Sequence, residues 1–167
     1  MNDDPIRIIV TGGTFDKYYD ELKGMLTFRE THLPEILKLV RIVSPVAITQ
    51  LQLIDSLEMT DQHREVIQKA IEAAPEERII ITHGTDRMAE TAKYLGPLNL
   101  PKTVVLTGAM IPYKITGSDA LFNLGTAFGS VRLLPHGVYV AMNGRVFLWD
   151  NVRKDYDRGV FRPLKES

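Results

Sequence analysis

The stretch IRIIVTGGT, residues 6–14, decides the fold. Ile6, Ile8, Ile9 and Val10 make a short β-branched run in which Arg7 is the only polar member, and the run stops at Thr11-Gly12-Gly13. That is the pattern of a buried strand, Ile6–Val10, ending in a tight turn. Similar runs recur downstream at Val46–Leu53, Arg78–Thr82, Thr103–Thr107 and Gly137–Met142, each bounded by Gly, Pro, Asp or Ser. Helical spacing fills the intervals. Pro34–Val43 carries Leu33, Ile36, Leu37 and Val40 along one side; Asp61–Ala74 follows Thr60 as an N-cap; Arg87–Leu95 is stopped by Gly96-Pro97; Asp119–Leu133 follows Ser118. Strands alternating with helices of ten to fifteen residues predict βαβ units. The expected fold is therefore a three-layer, doubly wound α/β domain with a mainly parallel sheet. Asn143-Gly144, between Val138–Met142 and Val146–Trp149, predicts a C-terminal β-hairpin. Residues 151–167 show little periodicity and read as an extension of the domain rather than a second one. The expected organisation is one domain over residues 1–167.

Composition narrows the function. The chain has 167 residues, 44% hydrophobic and 25% charged, with 20 Lys and Arg against 21 Asp and Glu, a net charge of −1. That balance argues against a nucleic-acid partner. There is no cysteine, which excludes disulfides, thiolate catalysis and Cys-type zinc sites. His32, His63, His83 and His136 show no ligand spacing, so no metal and no organic cofactor is expected. No apolar run approaches the ~20 residues of a membrane span. Asp3 and Asp4 stand where a signal peptide carries Lys or Arg, and a cytoplasmic protein is the expectation.

In an open α/β sheet, ligands bind beyond the carboxyl ends of the strands. Those ends carry Thr11-Gly12-Gly13-Thr14, Asp55-Ser56, Thr82-His83-Gly84-Thr85-Asp86 and Thr107-Gly108-Ala109-Met110. Each has a plain reading. Thr-Gly-Gly-Thr makes a tight turn, and it matches neither GxGxxG nor GxxxxGK[ST]. Thr85-Asp86 makes a helix N-cap ahead of Met88. Lys154 by itself is a solvated charge. Together the same residues supply a nucleophile kit. Thr14 offers a hydroxyl on a glycine-opened loop; Tyr18, Tyr19 and Lys154 are candidate bases; Asp86 is able to hold a lysine or bind an ammonium. Backbone N–H groups around Gly12–Thr14 and Gly84–Thr85 are candidate oxyanion donors. The polar segment Phe15–Phe28, with Lys23-Gly24 as the turn of a hairpin returning through Met25–Phe28, reads as a lid.

These motifs, TGGT at 11–14, HGTD at 83–86 and GAM at 108–110 with Pro112, resemble the bacterial-type L-asparaginase family. Asp119 with Phe122-Asn123-Leu124, and Val140-Ala-Met-Asn143, continue the likeness in the same order, from Ile6 to about Arg158. The resemblance implies hydrolysis of L-asparagine to L-aspartate and ammonia through a threonine acyl-enzyme. It makes Thr14 the nucleophile, assisted by a tyrosine of the following segment, Tyr19 first and Tyr18 second. It makes Thr85, Asp86 and Lys154 the group that activates water or the nucleophile. Ser56 then binds the substrate α-carboxylate, Asp86 the α-ammonium, and the backbone around Gly84 and Ala109 the rest of the substrate.

The chain departs from the family pattern in three places. Usual members have a smaller C-terminal domain that brings an acidic residue to a neighbouring subunit's site, and this sequence ends at Ser167. Leu57 stands where a polar residue is common, and Arg87 where a small hydroxyl residue is common. Glutaminase or amidotransferase-associated amidase activity, and an inactive amino-acid-binding domain, are the alternatives. A homo-oligomer, dimer or larger, is expected, with Phe147, Trp149, Tyr156 and Phe161 as candidate partner-facing side chains.

Overall fold

The computed structural model describes residues 4–165. Ten strands and four α-helices follow one another as β1 (Ile6–Gly12), β2 (Tyr18–Asp20), β3 (Met25–Thr27), α1 (Leu33–Leu39), β4 (Val46–Ile54), α2 (Asp61–Ala73), β5 (Arg78–Thr82), α3 (Met88–Leu95), β6 (Thr103–Thr107), α4 (Ala120–Leu133), β7 (Gly137–Met142), β8 (Arg145–Leu148), β9 (Arg153–Asp155) and β10 (Val160–Arg162). Six strands form the central sheet in the order β4-β1-β5-β6-β7-β8. The first five are parallel, and β8 returns antiparallel to β7 across Asn143-Gly144, both at positive φ. That is the predicted hairpin.

Alternation along each buried strand divides the core in two. Ile9, Ile79, Ile81, Val104, Leu106, Val138 and Val140 pack with Ile67 and Ile71 of α2 and Met88, Ala92 and Leu95 of α3. On the other face Ile6, Ile8, Val10, Ile80, Val105 and Tyr139 pack with Leu33 and Ile36 of α1 and Leu124, Ala127 and Val131 of α4. The result is three layers, as expected. Among the strands of this sheet β1 is followed in sequence by β4, on one side of it, and then by β5, on its other side. The winding therefore reverses at β1 and β5, and the crevice opens at their carboxyl ends.

Two stretches differ from the sequence reading. α1 stops at Leu39 instead of reaching Val43. The Arg41 N–H donates to Lys38 O and the Ile42 N–H to Leu37 O, with Arg41 at φ 55. These are the paired bonds of a Schellman stop, closed here by an arginine in the left-handed region. The aperiodic tail is ordered as the β9–β10 hairpin, in which Phe161 pairs with Lys154. Phe161 and Phe147 are both buried in the core. They are therefore unavailable to a partner, because this subunit's own sheet covers them. Trp149 is partly buried against the same core.

Candidate functional site

Gly12 and Gly13 set the approach of the nucleophile loop. The ladder of β1 with β4 shifts register between Val10 and Gly12. Gly12 takes φ +108 and Gly13 φ +79, a region that L side chains rarely adopt. A Cβ on Gly12 would lie 2.4 Å from the Ile54 backbone, and one on Gly13 would lie 2.4 Å from the Cα of Gly84. The TGGT loop is thus pressed backbone to backbone against the HGTD loop. Thr14 opens a single 3-10 turn, Thr14–Asp16. The Gly13 N–H donates to Ile54 O at 2.9 Å. It is committed to the scaffold, which removes it from the candidate oxyanion donors.

Gly84 touches a second element. A Cβ there would lie 2.5 Å from both Cβ and Oγ of Ser56. Ser56 is buried, and its Oγ accepts from the Arg87 N–H at 3.3 Å. Gly84 therefore joins the nucleophile loop on one side to the Ser56 turn on the other. A buried chain of hydrogen bonds holds it from below. His83 Nδ1 lies 2.8 Å from Gly84 O, which only accepts, so this nitrogen carries the proton. His83 Nε2 then accepts from the Thr91 hydroxyl at 2.8 Å, and Thr91 Oγ1 accepts from Arg64 Nε at 3.1 Å. Burial holds the imidazole down at about 4, against the hydrogen bond to Gly84 O. His83 is a neutral support under the loop.

Lys154 closes the site from β9. Its Nζ donates to Thr85 Oγ1 at 2.8 Å and to Asp86 Oδ1 at 2.6 Å. The lysine side chain is 8% exposed and the aspartate 30%. Neither the solvated-charge reading of Lys154 nor the N-cap reading of Asp86 describes them: α3 starts after Arg87 with no side-chain cap. Arg87 leans instead toward Glu90 at 3.7 Å. Ala109 is buried two residues past the end of β6. The strand end is held by Asp119, whose Oδ1 accepts from the Met110 and Ile111 N–H groups at 3.0 Å, and by Asn123, whose Nδ2 donates to Gly108 O at 3.0 Å.

The hairpin expected within Phe15–Phe28 forms as β2–β3. Tyr18 packs its ring on His32, centroid to centroid 4.1 Å. Tyr19 is 58% exposed and joins neither Thr14 nor the Thr85–Asp86–Lys154 group by a hydrogen bond among the described residues. Three site neighbours, Tyr156, Lys17 and Asp55, have no role at the site in the sequence reading. The Tyr156 hydroxyl donates to Asp86 O at 3.0 Å, with Lys154 Nζ 4.9 Å from the centre of its ring. Lys17 pairs with Asp55 at 2.7 Å. No local signal marks any of these, since each partner lies tens of residues away. A cavity of about 390 Å³, lined by Asn99, Pro101, Gly137, Tyr139 and Trp149, lies at the amino ends of the strands and contains none of the predicted site residues.

At the reversal of the α/β sheet stand a threonine on a glycine loop and a Thr–Asp–Lys group joined by hydrogen bonds. The chain belongs to the asparaginase family: residues 5–158 match the family described as Asparaginase, N-terminal. It is 42% identical over 84 residues to an L-asparaginase of Thermococcus kodakarensis, covering 49% of this chain and 26% of that protein. It is 29% identical over 160 residues to a glutaminase-asparaginase of Acinetobacter glutaminasificans, covering 88% and 48%. The solved thermostable L-asparaginase from Thermococcus kodakarensis superposes with a TM-score of 0.85 at 28% identity, covering 98% of this chain and 52% of that one. The probable cytoplasmic L-asparaginase from Campylobacter jejuni gives 0.78 at 30% identity, covering 95% and 52%. The chain spans about half the length of these solved structures. Among the described residues no helix is long and apolar enough to cross a membrane.

Proposed function

We propose that this chain hydrolyses L-asparagine to L-aspartate and ammonia, without a metal or organic cofactor. The observation that carries the reading is the joint grip of Lys154 Nζ on Thr85 Oγ1 and Asp86 Oδ1, beside the backbone contact of Gly13 with Gly84. The Thr14 hydroxyl attacks the side-chain amide carbon, and its proton passes through the tyrosine of the lid to the departing nitrogen. Ammonia leaves, and the aspartyl group stays as an ester on Thr14. Water, deprotonated by the Thr85–Asp86–Lys154 group, attacks that ester and frees L-aspartate, and the proton returns to Thr14. Ser56 receives the α-carboxylate and Asp86 the α-ammonium; the Gly84 and Ala109 backbone receives the amide. Glutamine is the natural second substrate to assay, because a relative of the chain is named glutaminase-asparaginase.

Ammonia release from asparagine and glutamine, measured side by side with the parent and Thr14→Ala, tests the reading. Turnover is expected in the parent, with the variant at background while still folded by circular dichroism. Comparable turnover in Thr14→Ala overturns the covalent route, and binding without turnover in the parent supports the inactive amino-acid-binding alternative. We place the protein in the cytoplasm, on the likeness to the Campylobacter protein, which is named a probable cytoplasmic L-asparaginase. As a homo-oligomer it would join through α4, a helix whose outer side leaves Phe122 64% and Leu133 74% exposed. Light scattering of the parent and of Phe122→Glu decides this: a monodisperse parent of single-chain mass, fully active, removes it.

A further inference from the structure

Lys17 stands between two working parts of the crevice. It directly follows the Thr14–Asp16 turn, its N–H donating to Thr14 O at 3.1 Å, and β2 of the lid begins at the next residue. Its Nζ reaches back to Asp55 Oδ2 at 2.7 Å and lies 5.5 Å from the ring centre of Phe28, just past β3. The lysine thus touches the chain on both sides of the hairpin base. Asp55 is equally divided. Its Oδ1 accepts from the Leu57 N–H at 3.0 Å, capping the Ser56–Glu58 turn that carries the buried Ser56. The Lys17 hydrogen bond holds the Asp55 carboxyl below its ordinary range, more than burial raises it. With Lys17 17% and Asp55 35% exposed, the pair is better covered than most surface ion pairs, which contribute little.

We propose that Lys17 and Asp55 form a latch that fastens the lid hairpin to the Ser56 turn, so that lid closure and the α-carboxylate pocket are set together. Both are positioning residues. The role in substrate affinity rests on the proposed asparagine hydrolysis; the mechanical coupling does not. Releasing the latch leaves the Thr85–Asp86–Lys154 group in place, so it acts on substrate capture more than on the chemical steps.

The test uses Lys17→Met, Asp55→Asn, the double variant and Lys17→Arg. Asparagine at position 55 keeps an oxygen for the Leu57 N–H while removing the charge. Amide hydrogen exchange of residues 18–27 and of Leu57 is followed against the amides of β5 and β6 as an internal reference. Each charge-removing variant is expected to speed exchange in the lid and at Leu57 by about tenfold, the scale of a lost hydrogen bond to a charged group, leaving β5 and β6 unchanged. The double variant should match the poorer single one, and Lys17→Arg should restore protection. In steady-state assays KM for asparagine should rise by about tenfold while kcat stays within about threefold. Unchanged lid exchange, or exchange that rises equally in β5 and β6, overturns the latch. Faster lid exchange with an unchanged KM overturns its role in binding. An inactive parent sinks the proposed hydrolysis alone, because the exchange result still decides the coupling.

Discussion

Lys154 donates to Asp86 Oδ1 across 2.6 Å, although 68 residues of chain separate them. The contact brings the short hairpin β9–β10 to the end of β5, and it ties the acid, the hydroxyl of Thr85 and the ammonium into one unit. Removing one member leaves the other two without the geometry they share. Lys154→Met and Asp86→Asn should each lower kcat/KM for asparagine by about 10²–10⁴, the range for losing one group of a preorganised site. The double variant should be little worse than the poorer single one. Fully additive losses in the steady-state rates would show that the two act separately.

The backbone contact of Gly13 with Gly84 makes a sharper demand. Gly13→Ala adds a Cβ 2.4 Å from Gly84 Cα at a residue with φ +79. The loops must separate or the backbone must change region, a strain of roughly 2–4 kcal/mol. Urea unfolding should show that loss, and activity should fall by more than stability accounts for, since Thr14 is the next residue. A variant as stable and as active as the parent would contradict the contact.

Asp16 gives a pH signature. Burial pushes its carboxyl from 3.8 up to about 6, against the hydrogen bonds from the His32 N–H and the Thr31 hydroxyl. Between those values the folded state holds more protons than the unfolded chain, so this residue lowers stability as pH rises through the window, by about 3 kcal/mol in all. His83, held down at about 4 from 6.5, acts with opposite sign: the unfolded chain holds the extra proton, and stability grows as pH rises from 4 to 6.5. The two nearly offset each other in the parent. In Asp16→Asn the His83 slope should stand uncovered, and the parent-minus-variant stability should decline from pH 4 to 6 and then level off. A flat difference in denaturant titrations would place the Asp16 carboxyl in the normal range.

Arg41 closes α1 in the left-handed region, where a Cβ is unfavourable. Arg41→Gly should raise stability by about 0.5–1 kcal/mol, or roughly 1–4 °C in melting temperature. Calorimetry that finds the variant less stable would mean that the arginine side chain makes a compensating contact.

The same residue shows where sequence reasoning stopped. Four of the five parallel strands, β1, β5, β6 and β7, were legible because strands covered on both faces are continuous apolar runs. The end of α1 was not, because its stop is an arginine and apolar residues continue past Leu39 to Val43. The strands Arg153–Asp155 and Val160–Arg162 are three residues each, too short for alternation to register. At the site, TGGT and HGTD stood out as glycine-bearing strand ends. Lys154 had only the family resemblance to distinguish it from a surface charge, and Tyr156 was assigned to a partner. Lys17–Asp55 is an ordinary pair of charges until the fold closes the 38 residues between them.

The position of Lys154 late in the chain also sets a sequence of events during synthesis. Translation at about 5–20 residues per second delivers Lys154 some seconds after Asp86, about 3–14 s for the 68 residues between them. Strands β1, β4 and β5 are already complete by then, so a growing chain is able to pair its central strands while its carboxylate still lacks the ammonium. A ribosome that stalls before residue 154 leaves a product in which the threonine loop already meets the HGTD loop through Gly13 and Gly84, while Thr85 and Asp86 lack the ammonium that joins them. Under the proposed hydrolysis such fragments are expected to be inactive until the β9–β10 hairpin has been made.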